Sequence, residues 1–257
     1  MKSISIKNHK IEESTFTLMA GPCSIESKEQ FESIVKFLKT QGVSIIRGGI
    51  FKPRTNPKDF QGLREKAFPI VKEIKEKEDF LFITEITDVR QIESLMEVAD
   101  IFQVGTRNMY NYDLLKELAH INRPVLLKRN FSASIKEWLF AAKYLSPNNQ
   151  IILCERGIRT FETAYRNTFD INAVSYLKQN SHLPIFVDPS HATGHNSLVS
   201  DIAKSALVAG AHGLLIEVHN EPDKALSDGA QALSFNQFSS LIKDLKNLSK
   251  SLNKKVL

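Results

Sequence analysis

Short apolar runs recur along this chain, and amphipathic stretches fill the intervals between them. The runs lie near residues 17–22, 44–48, 80–85, 101–105, 124–128, 151–155, 184–188 and 213–218. They are nearly unbroken in Ile, Val, Leu and Phe, which suits strands buried on both faces of a parallel sheet. The intervals carry helical periodicity instead. In KEQFESIVKFLKTQG, Phe31, Ile34, Val35 and Leu38 fall on one helical face before the Gly42 stop, and a closing helix is expected near residues 235–252. Strand and helix alternating eight times predicts an α/β fold, a (β/α)8 TIM barrel over residues 16–257, preceded by a short N-terminal extension at 1–15 in the form of a hairpin or cap. A doubly wound open sheet is the structural alternative, because periodicity does not say whether the last strand pairs with the first.

The polar positions sharpen this picture. Cys23 follows TLMAGP, Arg47 ends SIIR, Glu85 follows LFIT, Arg107 follows IFQVGT, Lys128 follows PVLL, Arg156 follows IILCE and Glu217 follows GLLI. Reactive side chains at strand C-termini are what a barrel enzyme needs, since its site is built from the loops at that end. Two loops are longer than a barrel requires, FKPRTNPKDFQG after the second strand and PSHATGHNS after the seventh.

Composition bounds the remainder. At 257 residues and 42% hydrophobic content, the chain matches one barrel domain. With two cysteines, Cys23 and Cys154, and no CxxC pair, a disulfide framework is not expected, and Cys154, inside an apolar run, reads as core. No apolar stretch approaches the roughly 20 residues of a membrane span, and the N-terminus MKSISIKNHKIEES lacks the apolar core of a secretion signal. A cytoplasmic protein with no membrane partner is expected. The net charge of +5 comes from dispersed cations that converge only on folding, so small anions, not nucleic acid, are the expected ligands.

Two constellations carry candidate chemistry. Arg47, Lys52, Arg54, Arg107, Lys128 and Arg156 form a cationic set suited to phosphate and carboxylate, since guanidinium forks grip such groups in pairs of hydrogen bonds. Any one of them alone is equally a surface charge or a partner of Glu85 or Glu155. Cys23, His191, Glu217 and Asp228 offer thiolate, imidazole and carboxylates to a divalent first-row metal. Spacing alone leaves His195, His212 and His219 in competition with His191, and Cys23 by itself reads as a small buried apolar residue. Glu85 and Asp188 either orient water or a ligand or pair with cations. Gly48 and Gly49 form no nucleotide-binding signature.

The segments AGPCSIES, RGGIFKPRTNPKDFQG, QVGTRNMYN, PVLLKRN, ILCERGIRTFE, VDPSHATGHNSLV, AGAHGLLIEVH and ALSDGAQAL resemble, in order and spacing, the 3-deoxy-D-arabino-heptulosonate 7-phosphate (DAHP) synthases, and within them the short form related to the 3-deoxy-D-manno-octulosonate 8-phosphate synthases. The resemblance spans residues 16–233. It implies condensation of phosphoenolpyruvate with erythrose 4-phosphate, the first step of the shikimate pathway, by a homodimer or homotetramer. It implies Cys23, His191, Glu217 and Asp228 as ligands of a divalent metal (Mn, Fe, Zn or similar), and Arg107, Lys128 and Arg156 as the phosphoenolpyruvate set, supported by Arg47. It also implies that Lys52, Arg54 and Thr55 meet erythrose 4-phosphate, with Lys52 reaching the reacting groups of both substrates. Glu85 and metal-bound water are the two candidates for moving the proton.

Rival readings are the octulosonate synthase, which uses arabinose 5-phosphate, a Schiff-base aldolase working through Lys128, and a non-catalytic binder of a phosphorylated ligand. The KPRT loop argues against the first, because that family usually carries a KANRS-like loop there.

Overall fold

A computed structural model of the chain describes residues 1–148 and 150–257. An antiparallel hairpin, β1 (Ile4–Ile6) and β2 (His9–Ile11), comes first. Eight parallel strands follow: β3 (Thr15–Gly21), β4 (Ile45–Arg47), β5 (Leu81–Ile86), β6 (Ile101–Val104), β7 (Val125–Lys128), β8 (Ile151–Glu155), β9 (Ile185–Val187) and β10 (Gly213–Glu217). Each pairs with its sequence neighbour, and β10 pairs with β3 in the register Gly213↔Thr17 to Glu217↔Gly21. That register closes the barrel and removes the open-sheet alternative.

The helices are α1 (Lys28–Thr40), α2 (Ala67–Lys77), α3 (Ile92–Met96), α4 (Tyr112–Ala119), α5 (Ile135–Tyr144), α6 (Ile171–Asn180), α7 (Pro189–Thr193), α8 (Asn196–Val208) and α9 (Phe235–Ser251). Capping boxes at Ser134/Glu137 and Ser234/Gln237 open α5 and α9 by satisfying backbone N–H groups that have no partner within the helix. The apolar face expected of α1 is buried: Phe31 meets Phe80 and Phe82 edge-on, with ring centroids 6.2 and 5.8 Å apart. Losing such a ring costs about 3–5 kcal/mol. Among the described residues no helix is long and apolar enough to cross a membrane.

Two apolar regions result. One lies between strands and helices; the other fills the barrel, where Met19, Ile45, Leu81, Ile83, Ile101, Leu126, Ile152, Cys154, Phe186 and Leu215 interdigitate. Ile4, Ile6 and Ile11 belong to this inner cluster, so the hairpin plugs the end of the barrel where the strands begin. Cys154 is core, as expected. A short strand absent from the sequence reading, β11 (Lys255–Val256), extends the sheet beside β3. The PSHATGHNS segment is not a loop. Asp188 caps α7 by accepting the His191 N–H, Pro189 supplies a preset φ at the first turn, and Gly194 ends the helix at φ 73° before α8 begins.

Candidate active site

Strand pleating explains why the charged residues gather. Successive side chains alternate, so the residue two beyond an inward apolar one also points inward. Ile45 leads to Arg47, Ile83 to Glu85, Ile101 to Gln103, Leu126 to Lys128, Phe186 to Asp188 and Leu215 to Glu217. Apolar layers therefore fill the lower barrel, and a polar layer forms the floor of a cavity of about 300 Å³ at the C-terminal end.

On one side, donor atoms of Cys23, His191, Glu217 and Asp228 all lie within 4.8 Å of one another. The structure thus selects His191 from the four histidines left open. His212 instead accepts the Ile185 N–H and faces Glu13, while His219 faces Glu26; His195 lies outside the group. Cys23 Sγ is 3.3 Å from Asp228 Oδ2, and His191 Nε2 is 3.5 Å from Glu217 Oε1 and 3.8 Å from Asp228 Oδ2. The Asp188 carboxylate, 2.7 Å from His191 Nδ1, directs Nε2 toward the group. Burial pushes the Cys23 thiol up to about 12 and the His191 imidazole down to about 4. Burial alone would raise Asp228, but Lys52, 3.0 Å away, His191 and Arg166 together outweigh it and hold the carboxylate well below its usual range. A mixed set of S, N and O donors suits a divalent transition metal, and Glu217 Oε1 is buried without a hydrogen bond, although Arg47 Nη2 lies 3.2 Å from it.

Facing this group are all six cations singled out in the sequence, Arg47, Lys52, Arg54, Arg107, Lys128 and Arg156, together with Thr55. Their pairing differs. Arg47 meets Glu217, Lys128 lies 2.5 Å from Asp188, Arg54 meets Asp59, and Lys52 bridges Cys23 at 2.6 Å and Asp228. Arg107 donates to Thr55 at 3.2 Å, which ties the KPRT loop to β6. Among the described residues, neither Arg107 nor Arg156 has a carboxylate partner. Arg156 is 4% exposed, its Nε has no acceptor, and burial lowers its pKa to about 10. A buried cation without a counterion is a ready anion site.

Glu85 sits on the cavity wall with its pKa raised by burial, against the pull of Lys128 and Lys52. Gln103 donates to it at 3.1 Å, and a Cβ at Gly105 would come within 1.9 Å of Glu85 Oε1, so glycine there gives the carboxylate its room. Glu155 does not serve the cavity cations. It is buried against Arg129, 3.0 Å away, which also binds Asp170.

The sequence reading missed Arg159 and Arg166, which line the cavity, and Gln231, which receives Arg166 at 2.7 Å and donates to Glu217 at 2.7 Å. The signal available was the charged stretch RGIRTFETAYRN after β8. Nothing local in it shows that the Ile158↔Thr168 bridge folds it back over the barrel mouth.

Residues 4–254 match the family model described as the DAHP synthetase I family. The chain is 47% identical over 255 residues to phospho-2-dehydro-3-deoxyheptonate aldolase of Thermotoga maritima, covering 98% of this chain and 75% of that protein. It is 29% identical to 2-dehydro-3-deoxyphosphooctonate aldolase of Magnetococcus marinus, covering 91% of this chain and 88% of that one. The crystal structure of the Thermotoga maritima aldolase superposes with a TM-score of 0.96 at 46% identity, over 100% of this chain and 76% of that one. A truncated form of 3-deoxy-D-arabino-heptulosonate 7-phosphate synthase from the same organism gives 0.92 at 43%, over 100% and 95%.

Proposed function

The chain belongs to the DAHP synthetase I family, and from that premise we propose that it joins phosphoenolpyruvate to erythrose 4-phosphate, forming DAHP and inorganic phosphate. The observation that carries this reading is the adjacency of four potential metal donors within 4.8 Å of one another and eight cations lining the same cavity. One half suits an aldehyde, the other a doubly anionic enol phosphate.

Arg107, Lys128 and Arg156 hold the phosphate and carboxylate of phosphoenolpyruvate, with Arg47 behind them, while Lys52, Arg54 and Thr55 hold erythrose 4-phosphate. A divalent ion (Mn, Fe, Zn or similar) held by Cys23, His191, Glu217 and Asp228 supplies polarisation of the aldehyde carbonyl when bound. Lys52 reaches both halves of the cavity and donates a hydrogen bond to the aldehyde oxygen as C3 of the enol phosphate bonds to C1 of the aldose. Water adds at C2, Glu85 takes one of its protons and passes it to the former aldehyde oxygen, and the C2–O bond to phosphate breaks as the C2 hydroxyl gives its proton to the departing phosphate, leaving the C2 ketone. Burial raises the Glu85 carboxylate, which makes it a better base than a solvated one. Holding two phosphorylated anions in one orientation is a large share of the rate enhancement.

The chain also matches octulosonate aldolases in sequence over most of its length, so the aldose is the point to test. Phosphate release should be rapid with phosphoenolpyruvate plus erythrose 4-phosphate, absent after exhaustive chelation, and slow with arabinose 5-phosphate. The reverse aldose preference would overturn the assignment, and full activity after chelation would favour a Schiff base on Lys128. We place the enzyme in the cytoplasm as a homodimer or homotetramer. Exposed Tyr110, Tyr112, Phe140 and Tyr144 on and beside α4 and α5 support association, with Tyr112 and Tyr144 stacked at 4.5 Å, and sedimentation analysis would measure it.

A further inference from the structure

Two of the four candidate metal donors, Cys23 and Asp228, come from distant segments that meet at 3.3 Å. The two segments are held differently. Around Cys23 the backbone is clamped: Ser24 Oγ and Ile25 N both donate to Gly49 O, at 3.1 and 3.0 Å. Buried Gln30 accepts the Glu26 N–H at 3.3 Å and donates to Ser24 O at 3.2 Å. Asp228 belongs to the excursion between β10 and Leu233. The neck of that excursion is closed by Leu233 N to Glu217 O at 2.9 Å and His219 N to Leu233 O at 3.0 Å. From Asn220 to Leu226, however, no residue is buried, so packing contributes little to fixing the loop. Asp228 also occupies the left-handed region at φ 51°, a conformation its surroundings have to hold.

Glu26 spans the gap. Its Oε1 accepts the Leu226 N–H at 2.9 Å, and its Oε2 lies 3.4 Å from His219 Nε2. His219 Nδ1 accepts the Glu221 N–H at 3.0 Å, which leaves the ring proton on Nε2, facing Glu26. One carboxylate, with its side chain only 10% exposed, therefore accepts two hydrogen bonds from the excursion, while its own backbone belongs to the clamped Cys23 segment. An ionised acceptor makes such bonds about twice as strong as neutral ones.

We infer that Glu26 is a positioning residue: it sets the Asp228 loop against Cys23 and thereby sets the affinity of the four-donor group for its metal. This rests on reading Cys23, His191, Glu217 and Asp228 as ligands. Residues that stand behind metal ligands typically change affinity about 10–100-fold when altered.

The test is a Co²⁺ titration of the full chain after chelation, followed by the thiolate-to-cobalt absorption band, with amide hydrogen exchange measured on the metal-free protein. Glu26→Ala should weaken Co²⁺ binding about 10–100-fold and speed exchange across residues 219–228, leaving exchange in the β1–β2 hairpin at the wild-type rate. Glu26→Gln keeps the acceptor for Leu226 but turns an NH₂ toward His219, so it should fall between, and it carries the test if the alanine variant folds poorly. Wild-type affinity and wild-type loop exchange in the variants would overturn the inference. A wild-type protein that develops no thiolate band would overturn the ligand reading itself, and the inference with it; the wild-type titration alone tells the two failures apart.

Discussion

Asp188 grips His191 twice, accepting the backbone N–H at 2.9 Å on Oδ1 and facing ring Nδ1 at 2.7 Å on Oδ2. The same Oδ2 lies 2.5 Å from Lys128 Nζ. One buried carboxylate thus caps α7, aims the imidazole at Glu217 and Asp228, and holds the lysine of the opposite half of the cavity. Burial alone would raise Asp188; His191 and Lys128 outweigh it and hold the carboxyl well below its usual range.

Asp188→Asn should therefore weaken metal binding about 10–100-fold and also raise the Michaelis constant for phosphoenolpyruvate, because both halves lose their shared support. Metal titration and steady-state kinetics on the same preparation check it. A change confined to one of the two would show that the carboxylate serves one half only.

Cys23→Ala should abolish turnover and the thiolate band while the protein stays folded, since the side chain lies at a strand end and not within the inner cluster. Cys154→Ala provides the contrast. It should cost about 1 kcal/mol of stability and leave metal binding intact. Circular dichroism with chemical denaturation separates the two outcomes.

Arg156→Ala should raise the Michaelis constant for phosphoenolpyruvate about 10–100-fold, the equivalent of one charge-assisted hydrogen bond worth about 1.5–3 kcal/mol. The constant for erythrose 4-phosphate should move much less. An unchanged phosphoenolpyruvate constant would remove Arg156 from the anion site.

Glu13 gives a pH-dependent term at the opposite end of the barrel. Burial would raise its pKa, but hydrogen bonds from His212 and Lys178 bring it from 4.5 down to about 2. A carboxylate depressed in the folded state stabilises fully above its unfolded value and loses that contribution as pH falls through the folded one. The difference in melting temperature between wild type and Glu13→Gln should hence be constant above about pH 5 and vanish toward pH 2. The side chain is 56% exposed, so solvent screening keeps the difference small.

Ile11→Ala should cost about 2–5 kcal/mol in urea unfolding and leave kcat unchanged, because Ile11 is fully buried in the floor of the barrel, beneath the polar layer. A fall in kcat at wild-type stability would mean that the hairpin acts on the site and not on the core.

Most of this arrangement was legible in the residues because two periodicities coincide. Buried parallel strands leave continuous apolar runs, and the pleat returns the next inward position to the cavity, so Arg47, Glu85, Lys128 and Glu217 marked both a strand end and a site. Cys23, His191 and Asp228 were harder. His191 projects from a helix that reads as a loop because its five residues are too few to show a period, and Asp228 lies in an excursion whose conformation depends on contacts from Glu26 and Leu233. Arg159 and Arg166 escaped for the same reason: they belong to a segment placed by long-range contacts. β11 was invisible because two residues carry no periodicity.

The isoleucine plug also bears on solvent. Ile4, Ile6 and Ile11 cover the end of the barrel where the strands begin, and the interdigitated layers above them close the interior beneath the polar floor. Water therefore meets the charged side chains from the C-terminal side, and the hairpin keeps the opposite end of the core dry.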